Sequence, residues 1–336
     1  MPVRHDPLEG LSAAARARLV ATRPPAWVEP MLATLTDKRF SDPGWLFERK
    51  LDGERCLAFR SNGEVRLLSR NRKRLNDHYP EIADALAQPQ GPDAVVDGEV
   101  VAVKGNETSF ARLQQRIQIA DPDPALRRAV PVCLYLFDIV YLDGFDLTAL
   151  ALRDRKGILR RSVAFRGPLR YTPHRNGAGD RYWRRACRSG WEGVIAKRAD
   201  AAYVHHRSRD WLKFKCRRGQ EFIVGGYTDP RRSRKGFGAL LLGYHRGNAL
   251  VYAGKVGTGF DDETLEQLRS RLGALAREGS PFAAGPVPTD AHWVLPILVV
   301  EVRFSDWTTD GLLRHPAFIG LRDDKDAREV VREESR

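Results

Sequence analysis

Carboxylates and lysines stand inside the most apolar, strand-like runs of this chain, gathered on one face of each run. Side chains alternate between the two faces of a strand. In Val95-Val96-Asp97-Gly98-Glu99-Val100-Val101, Asp97 and Glu99 therefore share a face within a run of valines. In Trp211-Leu212-Lys213-Phe214-Lys215, two lysines share one face while Leu212 and Phe214 take the other, and Glu192-Gly193-Val194-Ile195-Ala196-Lys197 brackets an apolar triplet with opposite charges. Taken singly, each pattern also fits a solvated edge strand or a structural ion pair, since ionic networks mimic sites. Taken together they suit a cleft in which carboxylates hold a divalent metal and lysines hold phosphate oxygens.

The surrounding text alternates strand-like and helix-like pieces. Residues 45–50, 56–60, 65–69, 94–103, 133–141, 193–197 and 211–214 read as strands, with helices predicted after Ser109 (Phe110, Leu113 and Ile117 at helical spacing) and from Asp180 to Gly190. Residues 1–25 form a polar lead-in with a short Ala/Arg helix at 12–20, and residues 26–220 form an α+β domain. The texture changes over residues 221–331. Runs at 221–228, 238–245, 249–256 and 298–304 are separated by Gly-rich turns, His245-Arg246-Gly247-Asn248 makes a hairpin turn, and one amphipathic helix carries Leu265, Leu268, Leu272 and Leu275 on a single face. That inventory predicts a small β-barrel of the oligonucleotide-binding type, although a sandwich fits nearly as well. Residues 332–336 are a tail.

A net charge of +13, from 56 Lys+Arg against 43 Asp+Glu, favours a polyanionic partner. Cys56, Cys133, Cys187 and Cys216 include no C-x-x-C pair, so neither a cysteine zinc site nor a disulfide framework is expected, and the compartment read from them is a reducing cytoplasm. Residues 293–302, the most apolar stretch, contain Pro296 and are too short to cross a bilayer. Arg16 and Arg18 interrupt the run after Leu11, so no leader peptide and no membrane partner are expected.

Glu48-Arg49-Lys50-Leu51-Asp52-Gly53-Glu54-Arg55 sharpens this reading. A lysine is protonated at neutral pH, with a reference pKa of about 10.4, and becomes a nucleophile once desolvation or a nearby cation frees its amine. Alone, Lys-x-Asp-Gly is a common surface turn. Here Lys50-x-Asp52-Gly53-x-Arg55 closely resembles motif I of the covalent nucleotidyltransferases (DNA ligases, RNA ligases and mRNA capping enzymes), and further motifs follow in order. Ser69-Arg70-Asn71 resembles motif Ia, Asp97-Gly98-Glu99 motif III, Leu136-Phe137-Asp138 motif IIIa, Glu192 to Lys197 motif IV, Trp211 to Lys215 motif V and Gly320-Leu321-Arg322-Asp323-Asp324-Lys325 motif VI. The resemblance runs from about Pro30 to Val331 and is strongest to the ligase domain of bacterial ligase D, which acts in non-homologous end joining. Pro30-Met31-Leu32-Ala33 and Val224-Gly225-Gly226-Tyr227-Thr228-Asp229-Pro230 carry that likeness.

The resemblance implies an ATP-dependent DNA ligase: a nucleotidyltransferase (adenylation) domain followed by an OB-fold domain, working through a lysyl-AMP intermediate. It assigns Lys50 as the nucleophile, Glu48 to adenine recognition and Phe137 to stacking on the base. Arg55 and Glu99 would face the ribose, with Glu99 and Glu192 serving Mg²⁺ or Mn²⁺. Lys213 and Lys215 would neutralise the α-phosphate, and Arg70 would meet the 5′-phosphate of the nick. Arg322, Asp324 and Lys325 would orient pyrophosphate in the first step. Implied partners are nicked or broken double-stranded DNA, Ku, and separate polymerase and phosphoesterase subunits, with the chain a monomer in the bacterial, nucleoid-associated cytoplasm. Lys197 has no assigned role, and Glu54 stands where relatives often carry an aromatic or apolar residue. The basic runs Arg70-Asn71-Arg72-Lys73-Arg74 and Arg231-Arg232-Ser233-Arg234-Lys235 favour backbone phosphates over mere solvation. Two rival readings remain: an RNA-directed relative, and a catalytically silent DNA-binding module.

Overall fold

A computed structural model describes residues 6–88, 91–104, 107–117, 119–216, 219–230 and 236–333. The chain divides after Cys216 into two compact units. In the first lie strands β1 (Leu32–Leu35), β2 (Trp45–Lys50), β3 (Glu54–Ser61), β4 (Glu64–Ser69), β5 (Ala94–Lys104) and β6 (Val132–Leu142). Helices α1 (Phe110–Ile117) and α2 (Leu152–Ser162), strand β7 (His174–Asn176), helix α3 (Gly179–Arg188) and strands β8 (Gly193–Arg198) and β9 (Arg207–Lys215) complete the main frame.

Two sheets organise this unit. One carries β6, β5, β3 and β4 side by side, and the other runs β7, β2, β8, β9, β1. The second sheet shows why charge sits in its strands. Register aligns Glu48 with Ile195 and Lys213, and Lys50 with Gly193 and Lys215, so these residues share one face. Phe47, Val194, Ala196 and Phe214 take the opposite face and form an apolar cluster that α3 covers with Ala186, Tyr182 and Trp183. The alternation in the sequence is thus a sheet with one sealed face and one chemical face. Burying the sealed side contributes about 25 cal/mol per Å² of apolar surface removed from water.

Predicted and observed elements agree closely at 45–50, 65–69 and 193–197, whereas the Ala/Arg helix shrinks to Ala13–Arg16, capped by Ser12. Missing from the sequence reading is α2, which is rich in arginine and looks solvent-facing. Cys187 of α3 and Cys216, just past β9, form a disulfide, against the expectation of none. Cys216 packs against the apolar cluster on the sealed side, which α3, carrying Cys187, also covers, and their Cα atoms are 5.2 Å apart.

The second unit contains β10 (Gly219–Thr228), β11 (Leu240–Arg246), β12 (Ala249–Val256), helix α4 (Asp262–Ala274), β13 (Ala291–Trp293), β14 (Val299–Arg303) and β15 (Ala317–Leu321). Leu265, Leu268 and Leu272 of α4 enter its apolar core, as their spacing predicts. The expected oligonucleotide-binding barrel does not form. The sheet is an open path, β12-β11-β10-β14-β15 with β13 beside β10, and among the described residues no ladder joins its two ends. The outer edge of β12 is already taken: Leu250 accepts from Ala283 N–H and Tyr252 N–H donates to Ala284, each at 2.9 Å. An irregular segment satisfies the backbone groups that a closing strand would need. Strand inventory does not encode that choice.

Among the described residues no helix is long and apolar enough to cross a membrane.

Candidate active site

Lys50 ends β2 at the point where the chain turns into β3 through Gly53. A Cβ at Gly53 would lie 2.1 Å from the Val100 carbonyl oxygen, so only glycine lets the turn press against β5. The Lys50 ammonium donates to Glu192, immediately before β8, and both side chains are about one-fifth exposed. Directly between Lys50 and Lys215 in the register stands Gly193, whose added Cβ would meet the Phe214 carbonyl oxygen at 2.1 Å. Two lysines therefore flank a strand position that cannot carry a side chain.

One strand position deeper, the Glu48 carboxylate is buried between two ammonium groups. Lys156 of α2 donates to Oε1, and Lys197 of β8 lies 2.7 Å from Oε2. Burial works to raise the Glu48 carboxyl, but the two lysines outweigh it and hold it below its ordinary value. At Lys197 burial prevails instead. Burial, with Lys156 adding repulsion and Glu48 offsetting only part, pushes its ammonium down to about 8. It also sits 4.0 Å from the ring centre of Phe137 and 4.1 Å from that of Trp211, an aromatic slot that favours a cation.

Arg55, which the resemblance places at the ribose, is anchored within the protein. Its guanidinium grips both oxygens of the fully buried Asp97 at 2.5 Å, reaches the Met31 carbonyl at 3.2 Å and lies over the Phe137 ring at 4.7 Å. Tyr203 donates to the same Asp97 at 2.7 Å and accepts from Met31 N–H at 3.0 Å. Phe137 is only 8% exposed, with cations already against its ring. Glu99 lies across the ladder from Arg55 and is half-buried. Arg70 lies just beyond β4, at the start of a tight turn that brings Ser69 N–H to the Lys73 carbonyl at 2.9 Å. Arg72 in that turn has φ 62° and stacks over Trp27. Glu54 is buried and accepts from Tyr79 at 2.7 Å, which accounts for a carboxylate at an ordinarily apolar position. His205 and His206 are exposed.

In the second unit Arg322 is buried and fully engaged, with Asp324 at 2.8 Å on both sides of its fork and Glu301 at 2.8 Å. Lys325 lies 3.5 Å from Glu221. The run 231–235 lies outside the described residues.

Thus Glu48, Lys50, Lys213 and Lys215 share one sheet face with Glu192 at its rim, while Arg55, Asp97 and Phe137 form an interlocked group on the neighbouring sheet. Lys156 and Tyr203 take part without belonging to the residues singled out beforehand, and Trp211, quoted in motif V without a role, lines the Lys197 slot. Lys156 had one legible signal: with Leu152, Arg155 and Leu159 it falls at helical spacing on the buried stripe of α2.

Among the described residues no group of three or more His, Cys, Asp or Glu side chains is arranged to hold a metal. Mg²⁺ commonly takes one or two carboxylates and completes its shell with water and substrate phosphates. Glu99 and Glu192, both half-buried, are carboxylates of the donor type that such an ion takes.

Comparison with known proteins agrees with this chemistry. Residues 30–215 match the ATP dependent DNA ligase domain, and residues 233–325 match the ATP dependent DNA ligase C terminal region. The multifunctional non-homologous end joining protein LigD of Pseudomonas aeruginosa is 37% identical over 92% of this chain, which spans 37% of that protein. Its Mycobacterium tuberculosis counterpart is 36% identical over 90% of the chain, which spans 40% of it. The chain thus covers about two fifths of the length of these curated relatives. A solved structure described as mycobacterial DNA ligase D complexed with ATP and MES is 34% identical, with a TM-score of 0.65, covering 91% of this chain and 98% of that one. The chain belongs to the ATP-dependent DNA ligases, closely related to the ligase domain of bacterial LigD.

Proposed function

We propose that this chain seals breaks in double-stranded DNA in three phosphoryl transfers, with Lys50 as the group that carries AMP. The observation that supports it best is the Lys50–Gly193–Lys215 row, with Glu192 on the Lys50 amine. Lys50 Nζ forms a bond to the α-phosphorus of ATP as the bond to the β-phosphate oxygen breaks and pyrophosphate leaves. Glu192, which accepts from the amine, stands ready to take its proton. Lys213 and Lys215 offset the negative charge of the α-phosphate, and the absence of a side chain at residue 193 leaves room between cations. The AMP then passes to a DNA 5′-phosphate, and the adjoining 3′-hydroxyl displaces it. Arg70 serves the 5′-phosphate, and Arg322, Asp324 and Lys325 serve the pyrophosphate-releasing step. Arg55, locked to Asp97, stiffens the wall on which Glu99 and Phe137 sit. Glu99 and Glu192 would hold Mg²⁺ or Mn²⁺, which supplies charge neutralisation at the transferring phosphate.

A carboxylate at Glu48 accepts from the adenine amino group and meets only an acceptor, O6, on guanine. That favours ATP over GTP and a ligase over a capping enzyme. From the relatives' end-joining role we further infer action in double-strand break repair, alongside Ku and polymerase and phosphoesterase activities supplied separately.

Lys50→Ala tests the core of this reading. Incubated with labelled ATP and Mg²⁺, the variant forms no AMP adduct, whereas wild-type-level labelling would move the nucleophile elsewhere.

A further inference from the structure

A buried lysine outside all the ligase motifs ties the base-recognition group in place. Lys156 is 2% exposed, and an ammonium so placed is tolerated only when its protons are all satisfied. It has three N–H donors, and three acceptors surround it: Glu48 Oε1, the Thr172 carbonyl at 3.1 Å and the Phe137 carbonyl at 3.5 Å. Those acceptors come from β2, from β6 and from the link entering β7, so one side chain of α2 bridges both sheets of the unit. The preceding residue, Arg155, clamps Asp138, the residue after Phe137, at 2.8 and 3.0 Å. Consecutive cations of α2 thereby fix consecutive residues of β6.

We propose that Lys156 is a positioning residue that sets the adenine preference of this ligase by fixing the Glu48 carboxylate as a rigid, acceptor-only group. This rests on the reading of Glu48 as the base-recognition residue. With Oε1 hydrogen-bonded to Lys156 and Oε2 in an ion pair with Lys197 at 2.7 Å, rotation of the carboxylate is restrained chiefly by Lys156, and each oxygen keeps a lone pair for a purine amino group. Two flanking ammonium groups also keep it ionised, so it never offers the O–H that could satisfy guanine O6. Without Lys156, one oxygen is untethered and the preference blurs.

The experiment follows lysyl-AMP formation by the full chain against ATP and GTP concentration. It compares wild type, Lys156→Met, Lys156→Gln, Lys156→Arg, Glu48→Gln and the double variant Glu48→Gln/Lys156→Met. Lys156→Met should raise the ATP KM roughly tenfold, the scale of one lost charge-assisted hydrogen bond, and narrow the ATP-to-GTP preference to match. Its kcat should stay within about twofold, because the mutation touches ground-state and transition-state binding alike. Lys156→Arg, which keeps the charge, should stay near wild type. On the Glu48→Gln background, Lys156→Met should add nothing, as expected of residues that act as a unit. Wild-type KM and preference in Lys156→Met overturn the proposal, and so does an equal loss on both backgrounds. If the Met variant does not fold, Lys156→Gln decides by the same criteria. A Glu48→Gln variant with unchanged preference would instead sink the reading of Glu48 itself, whereas a defective Glu48→Gln beside a normal Lys156→Met removes only the role of Lys156.

Discussion

The two units carry ionic networks of opposite construction. In the first, one carboxylate, Glu48, is held by two ammonium groups; in the second, one guanidinium, Arg322, is held by Asp324 and Glu301, with Glu221 at 3.8 Å. Both are buried, yet they differ in what they can release. A lysine sheds its proton when its surroundings disfavour charge, and Lys197 is already pushed down to about 8. An arginine does not, and Arg322 is pushed further from doing so because Asp324 and its other carboxylates outweigh burial. The first network can therefore change charge near neutral pH, while the second is fixed.

The largest expected contrast is in stability. Arg322→Ala strips the buried Asp324 and Glu301 of the guanidinium bonded to both and should cost about 3–5 kcal/mol. Glu48→Gln leaves lysines, one of which relieves the strain by losing a proton, and should cost roughly 1–3 kcal/mol. Denaturant titration of the whole chain compares the two, and equal losses would abolish the distinction between releasable and fixed charge.

The next test uses pH. The folded Lys197 value of about 8 lies below the ordinary 10.5, so between these limits the unfolded chain binds the extra proton and stability rises with pH. The penalty on its charged form is fully present below about pH 8. Relative to Lys197→Met, the wild type should gain up to about 1.4 kcal/mol per pH unit across that window. The groups facing Lys197 are Glu48, Lys156 and Asp138. No such slope is expected from the Arg322 network, because its arginine stays charged and Asp324 is held below its ordinary value, where burial works to raise it but Arg322 prevails. A flat difference curve for Lys197→Met would mean that Lys197 titrates normally.

The smallest effect belongs to exposed charge. Arg72, Lys73 and Arg74 are exposed, and if they touch DNA phosphates, each removal should flatten the log–log salt dependence of nick binding by about one unit. An unchanged slope would leave them as solvated surface, in contrast with both buried networks.

How legible the site was follows from the same physics. Charge on an apolar strand is visible because period-2 alternation assigns each residue a face, and Asp97, Glu99, Lys213 and Lys215 were all found that way. A cation on a helix is much harder to read. Arg155 and Lys156 sit among Arg153, Arg160 and Arg161, and local text does not separate the buried cations from the solvated ones. Commitments between partners distant in sequence were equally hidden: Arg55 to Asp97 across 42 residues, and Lys156 to Glu48 across 108. The open sheet of the second unit was hidden for a related reason, since its edge is occupied by Ala283 and Ala284, which lie outside every strand run in the sequence pattern.

The Cys187–Cys216 bond has a mechanical consequence. Cys216 directly follows β9, so tension applied from the C-terminal side would, without a crosslink, unzip that strand from Lys215 and Gly193 inward, one ladder step at a time. With the crosslink, the load passes into α3 at Cys187 before it reaches the ladder. The strand that presents Lys213 and Lys215 is thereby isolated from pulling forces, and only reduction of the disulfide would place it in the line of tension.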